Sequence, residues 1–171
     1  LGATFRPVRA DLRDFRLRPA ADFAFVLFGS IYRTSNEELL RHLACMARAV
    51  RTGGLYVLHM VVEGDPAHVA RRWSERVRIG ATTVHVEYER ELLDWARQLR
   101  RETFRLTVRS GGRTRRVVER NLDKFVLPQE FLLLLERTPF RLMGWYDGFD
   151  LRRSFDGRRA TNYVVAVLRN G

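Results

Sequence analysis

Two places in this 171-residue sequence carry residue types that could hold a small molecule. The first is Asp11, at the end of the extended segment Thr4–Ala10. A carboxylate there accepts hydrogen bonds from a ligand's amino or hydroxyl groups. The second is Gly29-Ser30, which ends the apolar run Phe23–Phe28. Glycine lets a ligand approach the backbone closely, and serine adds a hydroxyl. Ligands of open α/β sheets bind beyond the carboxyl ends of the parallel strands, where both places would lie. Each has a plainer reading as well: Gly29 makes a turn and Asp11 caps a loop. Other chemistries lack their residues. His42, His59, His68 and His85 show no metal-ligand spacing, so no metal is expected. The single cysteine, Cys45, lies beside Met46 in a helical stretch and reads as a small hydrophobe. There is no G-x-S-x-G elbow and no phosphate-binding P-loop.

The elements that must position these residues follow from pattern. Pro7 favours an edge position for Thr4–Ala10, and Leu12–Pro19 is a charged loop. Phe23–Phe28 is apolar on both parities, which predicts a parallel strand covered on both faces. Ser35 and Glu38 form a capping box, and Leu39, Leu40, Leu43, Met46, Ala47 and Val50 recur at helical spacing. The helix expected over Glu37–Val50 stops at Thr52-Gly53-Gly54, and Leu55–Val62 is a second buried strand. Strand, helix and strand with short connections make a βαβ unit.

Beyond it the texture changes. Val84, Val86 and Tyr88 alternate with polar residues, as do Phe104, Leu106 and Val108, and Ser110-Gly111-Gly112 is a turn. Residues 76–124 therefore read as an antiparallel β insertion, with Leu92–Leu99 a short helix or irregular. Pro128 opens a helix over Gln129–Arg137, and Phe140–Tyr146 and Asn162–Arg169 form a closing antiparallel pair. The expected fold is α/β: a Rossmann-like, mostly parallel sheet with an antiparallel final hairpin and an inserted antiparallel β subdomain. The expected division is a core of 1–75 and 125–171 and an insertion of 76–124.

The order of these pieces resembles the second half of the Rossmann-like class I S-adenosylmethionine-dependent methyltransferases. In that family a strand ends in Asp followed by a small or apolar residue, here "VRADLRDF". Next come a strand opening "FD", a small-residue loop, a helix, a "GG" turn and another strand. The matching stretch is "ADFAFVLFGSIYRTSNEELLRHLACMARAVRTGGLYVLHMVV", with Asp22 as the acid, Ala21 in place of its aromatic, and Gly53-Gly54 as the turn. "LPQEFLLLLERTPFRLMGWYDGFDLRRSFDGRRATNYVVAVLRN" is similar to the family's later helix and final hairpin. The insertion resembles the β-rich flap of small-molecule and sugar-type members. The family's Gly-rich loop would precede Leu1, so the chain is expected to be an N-terminally shortened piece or to have the rest supplied by another chain.

The resemblance implies S-adenosylmethionine as cofactor and a small-molecule acceptor. Asp11 would hold the adenine amino group, with Leu12 near the ring. Phe28, Gly29 and Ser30 would line the methionine and ribose side. Phe28 or Tyr32 could favour the sulfonium through its ring quadrupole. Methyl transfer would be a direct displacement, with His59 and Tyr32 as catalytic candidates and a hydrogen-bonded core histidine as the alternative for His59. Arg33 could hold an anionic acceptor group, and Trp145, Tyr146 and Asp147 could border its pocket.

Composition sets the remaining expectations. The net charge is +11, carried by arginines scattered from Arg6 to Arg169, with Lys124 the only lysine. Scattered charge reads first as a solvated face. Its functional alternative is a non-catalytic module binding RNA or a protein partner. The apolar runs are far too short to span a bilayer, and a lone cysteine suits a reducing, cytoplasmic setting. The insertion's apolar alternation offers a surface for pairing two copies of the chain.

Overall fold

The computed structural model describes residues 6–161 and 163–171. It is rich in sheet, with two separate four-stranded sheets. The first begins with β1 (Ala21–Val26), α1 (Asn36–Ala49) and β2 (Val50–His59), the expected strand–helix–strand unit. The pairing of β1 with β2 is parallel, with Phe23 opposite Leu55 and Val26 opposite Leu58. The second sheet follows as β3 (Arg71–Ile79), β4 (Thr82–Asp94), β5 (Leu99–Ser110) and β6 (Arg113–Lys124), antiparallel throughout. The chain then returns through α2 (Pro128–Leu135), β7 (Phe140–Asp147) and β8 (Val164–Asn170), completing the first sheet in the order β1-β2-β8-β7.

Helix α1 starts where Ser35 accepts the Glu38 N–H at 3.2 Å. Glu38 reaches back to the Thr34 N–H at 2.7 Å rather than to that of Ser35, a one-residue variation on the expected capping box. Proline begins α2, as its lack of a free N–H allows at a first helical position. Leu39, Leu43 and Met46 of α1 and Phe131, Leu134 and Leu135 of α2 pack with Tyr56, Leu58, Ala166 and Leu168 of the sheet in one buried cluster.

Several expectations are corrected. Only one of the first sheet's three pairings is parallel; β2–β8 and β7–β8 are antiparallel. Among the described residues β1 is an edge strand, and Phe23 and Phe25 stand 53% and 57% exposed, because nothing there covers their face. In the expected strand Thr4–Ala10, the first two residues lie outside those described. Arg6–Ala10 are exposed and form no strand, having no neighbouring strand among the described residues and, at Pro7, no donor. Asn162, the first residue of the expected last strand, also lies outside the described residues. Leu92–Leu99 is neither helix nor irregular: β4 runs on to Asp94 and turns at Trp95–Gln98. Strand β3 was not expected, although Trp73, Val77 and Ile79 share one parity.

Two buried histidines give this fold a pH dependence. Burial lowers the pKa of both His42 and His59 below the ordinary 6.5. The unfolded chain therefore takes up protons that the folded chain refuses. Stability is fully present above about 6.5 and is lost as pH falls through it. Urea unfolding is expected to show a falling midpoint on acidification, with the fall reduced in His42→Asn and in His59→Asn.

Candidate functional site

Strands β1 and β2 end side by side in a strained corner. Phe28, Gly29 and Met60 all occupy the left-handed region, with φ of 55°, 64° and 60°. For Phe28 and Met60 this costs free energy that the surroundings must impose, and such outliers concentrate at functional sites. The corner is held by hydrogen bonds from the Gly29 N–H to the His59 carbonyl at 3.0 Å and from the Ile31 N–H to the Gly29 carbonyl at 2.7 Å. A Cβ added to Gly29 would lie 2.9 Å from the Met60 carbonyl oxygen. The Ser30 hydroxyl donates to the Leu27 carbonyl at 2.7 Å, so its proton closes the turn.

His59 sits beneath this corner, buried among the rings of Phe28, Phe149 and Tyr163. Its Nδ1 accepts the Phe28 N–H at 3.3 Å, which places the ring proton on Nε2. Nε2 has no partner. The imidazole is thus a neutral donor whose pKa burial has pushed down.

A cavity of about 700 Å³ opens beside the corner. Phe28, Gly29, Tyr32, Met60 and Val61 form its wall on the first sheet. The second sheet forms the opposite wall. There Trp73, Tyr88 and Phe104 are cross-strand neighbours, with ring centroids 5.8 Å and 4.5 Å apart along the row. Burial, with nearby Glu102, raises the Tyr32 phenol to about 12, so it keeps its proton at neutral pH.

Charged side chains fill the join between the two sheets. Arg100 donates from Nη1 to Glu63 at 2.8 Å and from Nη2 to Asp123 at 2.9 Å. Arg90 donates to Glu102 at 2.8 Å, and the Tyr88 hydroxyl reaches the same oxygen at 2.8 Å. Arg33 bonds the Ile31 and Val61 carbonyls at 2.9 and 2.8 Å. Among the described residues, two polar atoms at this join have no hydrogen-bond partner, Arg33 Nε and Asp123 Oδ1. Burial raises the Asp123 pKa, against the pull of Arg33 and Arg100.

The comparisons with known proteins bear on this arrangement. Neither a protein-family model nor a curated protein matches the sequence. Solved structures do match. One is an S-adenosylmethionine-dependent methyltransferase from Clostridium acetobutylicum, 12% identical, with a TM-score of 0.80 over 99% of this chain and 66% of that one. A second is CalS10, an amino pentose methyltransferase from Micromonospora echinaspora solved with S-adenosylmethionine bound, at 17% identity and a TM-score of 0.70 over 95% and 63% of the two chains. A third is the sugar N-methyltransferase KedS8 from a Streptoalloteichus species, at 19% identity and a TM-score of 0.71 over 94% and 60%. The chain has a methyltransferase fold. It spans about two thirds of the length of the solved structures it resembles.

Within this methyltransferase fold the sequence-predicted residues divide into two groups. Phe28, Gly29 and Tyr32 line the cavity, as does Arg33. Asp11, Leu12 and Ser30 are not part of its lining. Both Asp11 oxygens are engaged by Arg13, through Oδ1 to its backbone N–H at 2.8 Å and through Oδ2 to Nη2 at 2.9 Å. The Arg13 guanidinium beside it holds the Asp11 carboxyl down at about 2. Arg13 also binds Glu38 at 2.6 Å, and Glu38 binds Thr34, which ties the Asp11 loop to the segment after Ser30. Trp145 packs on Phe131, and Asp147 is taken by Thr161 and Arg153. Glu63, Arg100, Glu102 and Asp123 were missed. Of these, Glu102 alone carries a sequence signal: with its cross-strand partner Arg90 it falls on the parity of Phe104 and Tyr88, where an apolar residue would be expected. Among the described residues no group of His, Cys, Asp or Glu could hold a metal ion, and no helix is long and apolar enough to cross a membrane.

Proposed function

We propose that the protein is an S-adenosylmethionine-dependent methyltransferase that methylates a small-molecule acceptor in the cavity between its two sheets. The observation that carries this reading is a two-sided cavity at the carboxyl ends of a parallel strand pair, bounded by a glycine corner on one side and aromatic rings on the other. The β1–α1–β2 unit supports a Rossmann-like arrangement, with a core of 1–75 and 125–171 and an insertion of 76–124; the second sheet, which begins at Arg71 just ahead of that boundary, supplies the acceptor wall. None of the comparisons supports a non-catalytic RNA-binding or partner-binding role.

The residues fit the cofactor. Gly29 brings bare backbone to the cavity wall, packed too closely on the Met60 carbonyl to carry a side chain, and Phe28 and Tyr32 present rings that suit a sulfonium. Asp11 and Leu12 would hold the adenine once Arg13 shares the carboxylate. The cofactor when bound supplies an activated methyl group on a sulfonium leaving group. The chain's own work is to orient the acceptor, exclude water and manage its proton. Asp123 Oδ1 is a buried acceptor without a partner, and its raised pKa suits it to take a proton from an ammonium. With the aromatic row of β3, β4 and β5, this favours an amine on a sugar-like scaffold, the substrate type named for two of the solved neighbours.

Calorimetric titration of S-adenosylhomocysteine into the full-length protein tests the reading. Binding heat is expected, and its absence at millimolar ligand would overturn it. Asp123→Asn is expected to raise the KM for an amine acceptor about 10- to 100-fold, the worth of a charged hydrogen bond. Affinity for S-adenosylhomocysteine should stay unchanged, which separates acceptor binding from misfolding.

A further inference from the structure

His42, which the mechanism above does not use, is buried in α1 with only 1% exposure. Both of its ring nitrogens are nonetheless bonded. Nδ1 lies 2.8 Å from the Leu12 carbonyl and Nε2 lies 2.6 Å from the Tyr56 hydroxyl. A carbonyl can only accept, so Nδ1 carries the proton. A neutral ring then has only a lone pair at Nε2, and the Tyr56 O–H must donate to it. The order of donors is therefore fixed: Tyr56 on β2, then His42 on α1, then the Leu12 carbonyl in the loop.

That loop has few other anchors. Residues 6–14 are exposed and form no regular strand, and Asp11 and Asp14 close a turn on themselves with a 3.0 Å bond. Phe15 packs partly against the core cluster. The Arg13–Glu38 pair is half exposed at the arginine, and exposed pairs hold weakly. Among the described residues, the bond from His42 is the one that joins the loop to a fully buried side chain.

We infer that His42 and Tyr56 are positioning residues that clamp the Asp11–Leu12 loop at the rim of the sheet, so that cofactor affinity depends on a buried imidazole held in its Nδ1-protonated form. The inference rests on the reading of Asp11 and Leu12 as cofactor-holding residues. If Tyr56 is removed, Nε2 loses its donor and the ring loses one of the two bonds that fix its orientation, so the Nδ1–H no longer stays aimed at the Leu12 carbonyl. The loop is released although both histidine and helix remain.

Two substitutions separate the donor from the acceptor of this relay. Asparagine at 42 places an amide N–H near the position of Nδ1, and glutamine places its amide near Nε2. The measurements are amide hydrogen exchange at Arg13 and Asp14, whose N–H groups bond Asp11, and calorimetric affinity for S-adenosylhomocysteine. Tyr56→Phe and His42→Gln are expected to speed exchange at both amides and weaken affinity about tenfold. His42→Asn should keep most of both. Nitrogen-15 spectra of the imidazole should show the Nδ1-protonated tautomer in the unaltered protein, and in Tyr56→Phe an Nε2 signal shifted by loss of the donated hydrogen bond. Equal effects of His42→Asn and His42→Gln, or unchanged exchange in all three variants, would overturn the clamp. If the unaltered protein binds no S-adenosylhomocysteine while exchange follows the expected order, the clamp stands and the functional reading falls.

Discussion

Arg100→Leu is expected to cost about 3–5 kcal/mol of stability, the price of stranding buried charges. The side chain is 6% exposed and holds two carboxylates, Glu63 and Asp123, whose own side chains are each 7% exposed. Without the guanidinium, Asp123 keeps only Arg33 nearby, at 3.8 Å, and Glu63 keeps Arg90 at 3.7 Å. These distances exceed hydrogen-bonding range, so the two largely buried carboxylates lose their charged hydrogen bonds. The loss should appear as a lower urea midpoint. Arg100→Leu combined with Asp123→Leu should be less destabilised than Arg100→Leu alone, because a matched apolar pair removes the stranded charge together with its partner. A single-variant cost below about 1 kcal/mol, the level of an exposed pair, would show that the join is not a buried network.

Under the proposed function, Gly29→Val should cut methyl transfer at least about 100-fold while leaving the protein folded. Its backbone stands at φ 64°, where a β-branched residue is strained, and its Cβ would lie 2.9 Å from the Met60 carbonyl oxygen. The corner must open to admit the side chain, and it would do so on the wall where Phe28 and Tyr32 face the cavity. A displacement of about 1 Å in a reacting pair costs roughly 100-fold in rate. The turnover number should therefore fall by at least that factor, with far-ultraviolet circular dichroism retained. Turnover within about threefold of the unaltered protein would show that the corner takes no part in the reaction.

The local grammar of the chain was readable because short-range physics writes it. Ser35 and Glu38 announce α1, Pro128 announces α2, and the parity of Val84, Val86 and Tyr88 announces an antiparallel strand with one wet face. The apolar run of β1 misled for a related reason. Apolar residues on both parities report what a strand can tolerate, and Phe23 and Phe25 are exposed among the described residues because pairing is decided by other segments. The charged join was illegible for the same cause. Glu63, Arg100 and Asp123 are distant in sequence and read singly as solvent-facing residues. Only the cross-strand register of β5 and β6, which sets Arg100 opposite Asp123, reveals them as one cluster. At the site, Gly29 and Phe28 could be found from a strand ending in small residues. Nothing local marked Trp73 as their counterpart across the cavity.

The cavity takes its two walls from two sheets, and those sheets share no strand. Under the proposed function the methyl donor is gripped by one and the recipient is shaped by the other. Exchanging the rings at Trp73, Tyr88 and Phe104 can therefore retune which molecule is accepted without disturbing the backbone corner at Gly29. Selection, or a protein engineer, has separate handles on chemistry and on clientele.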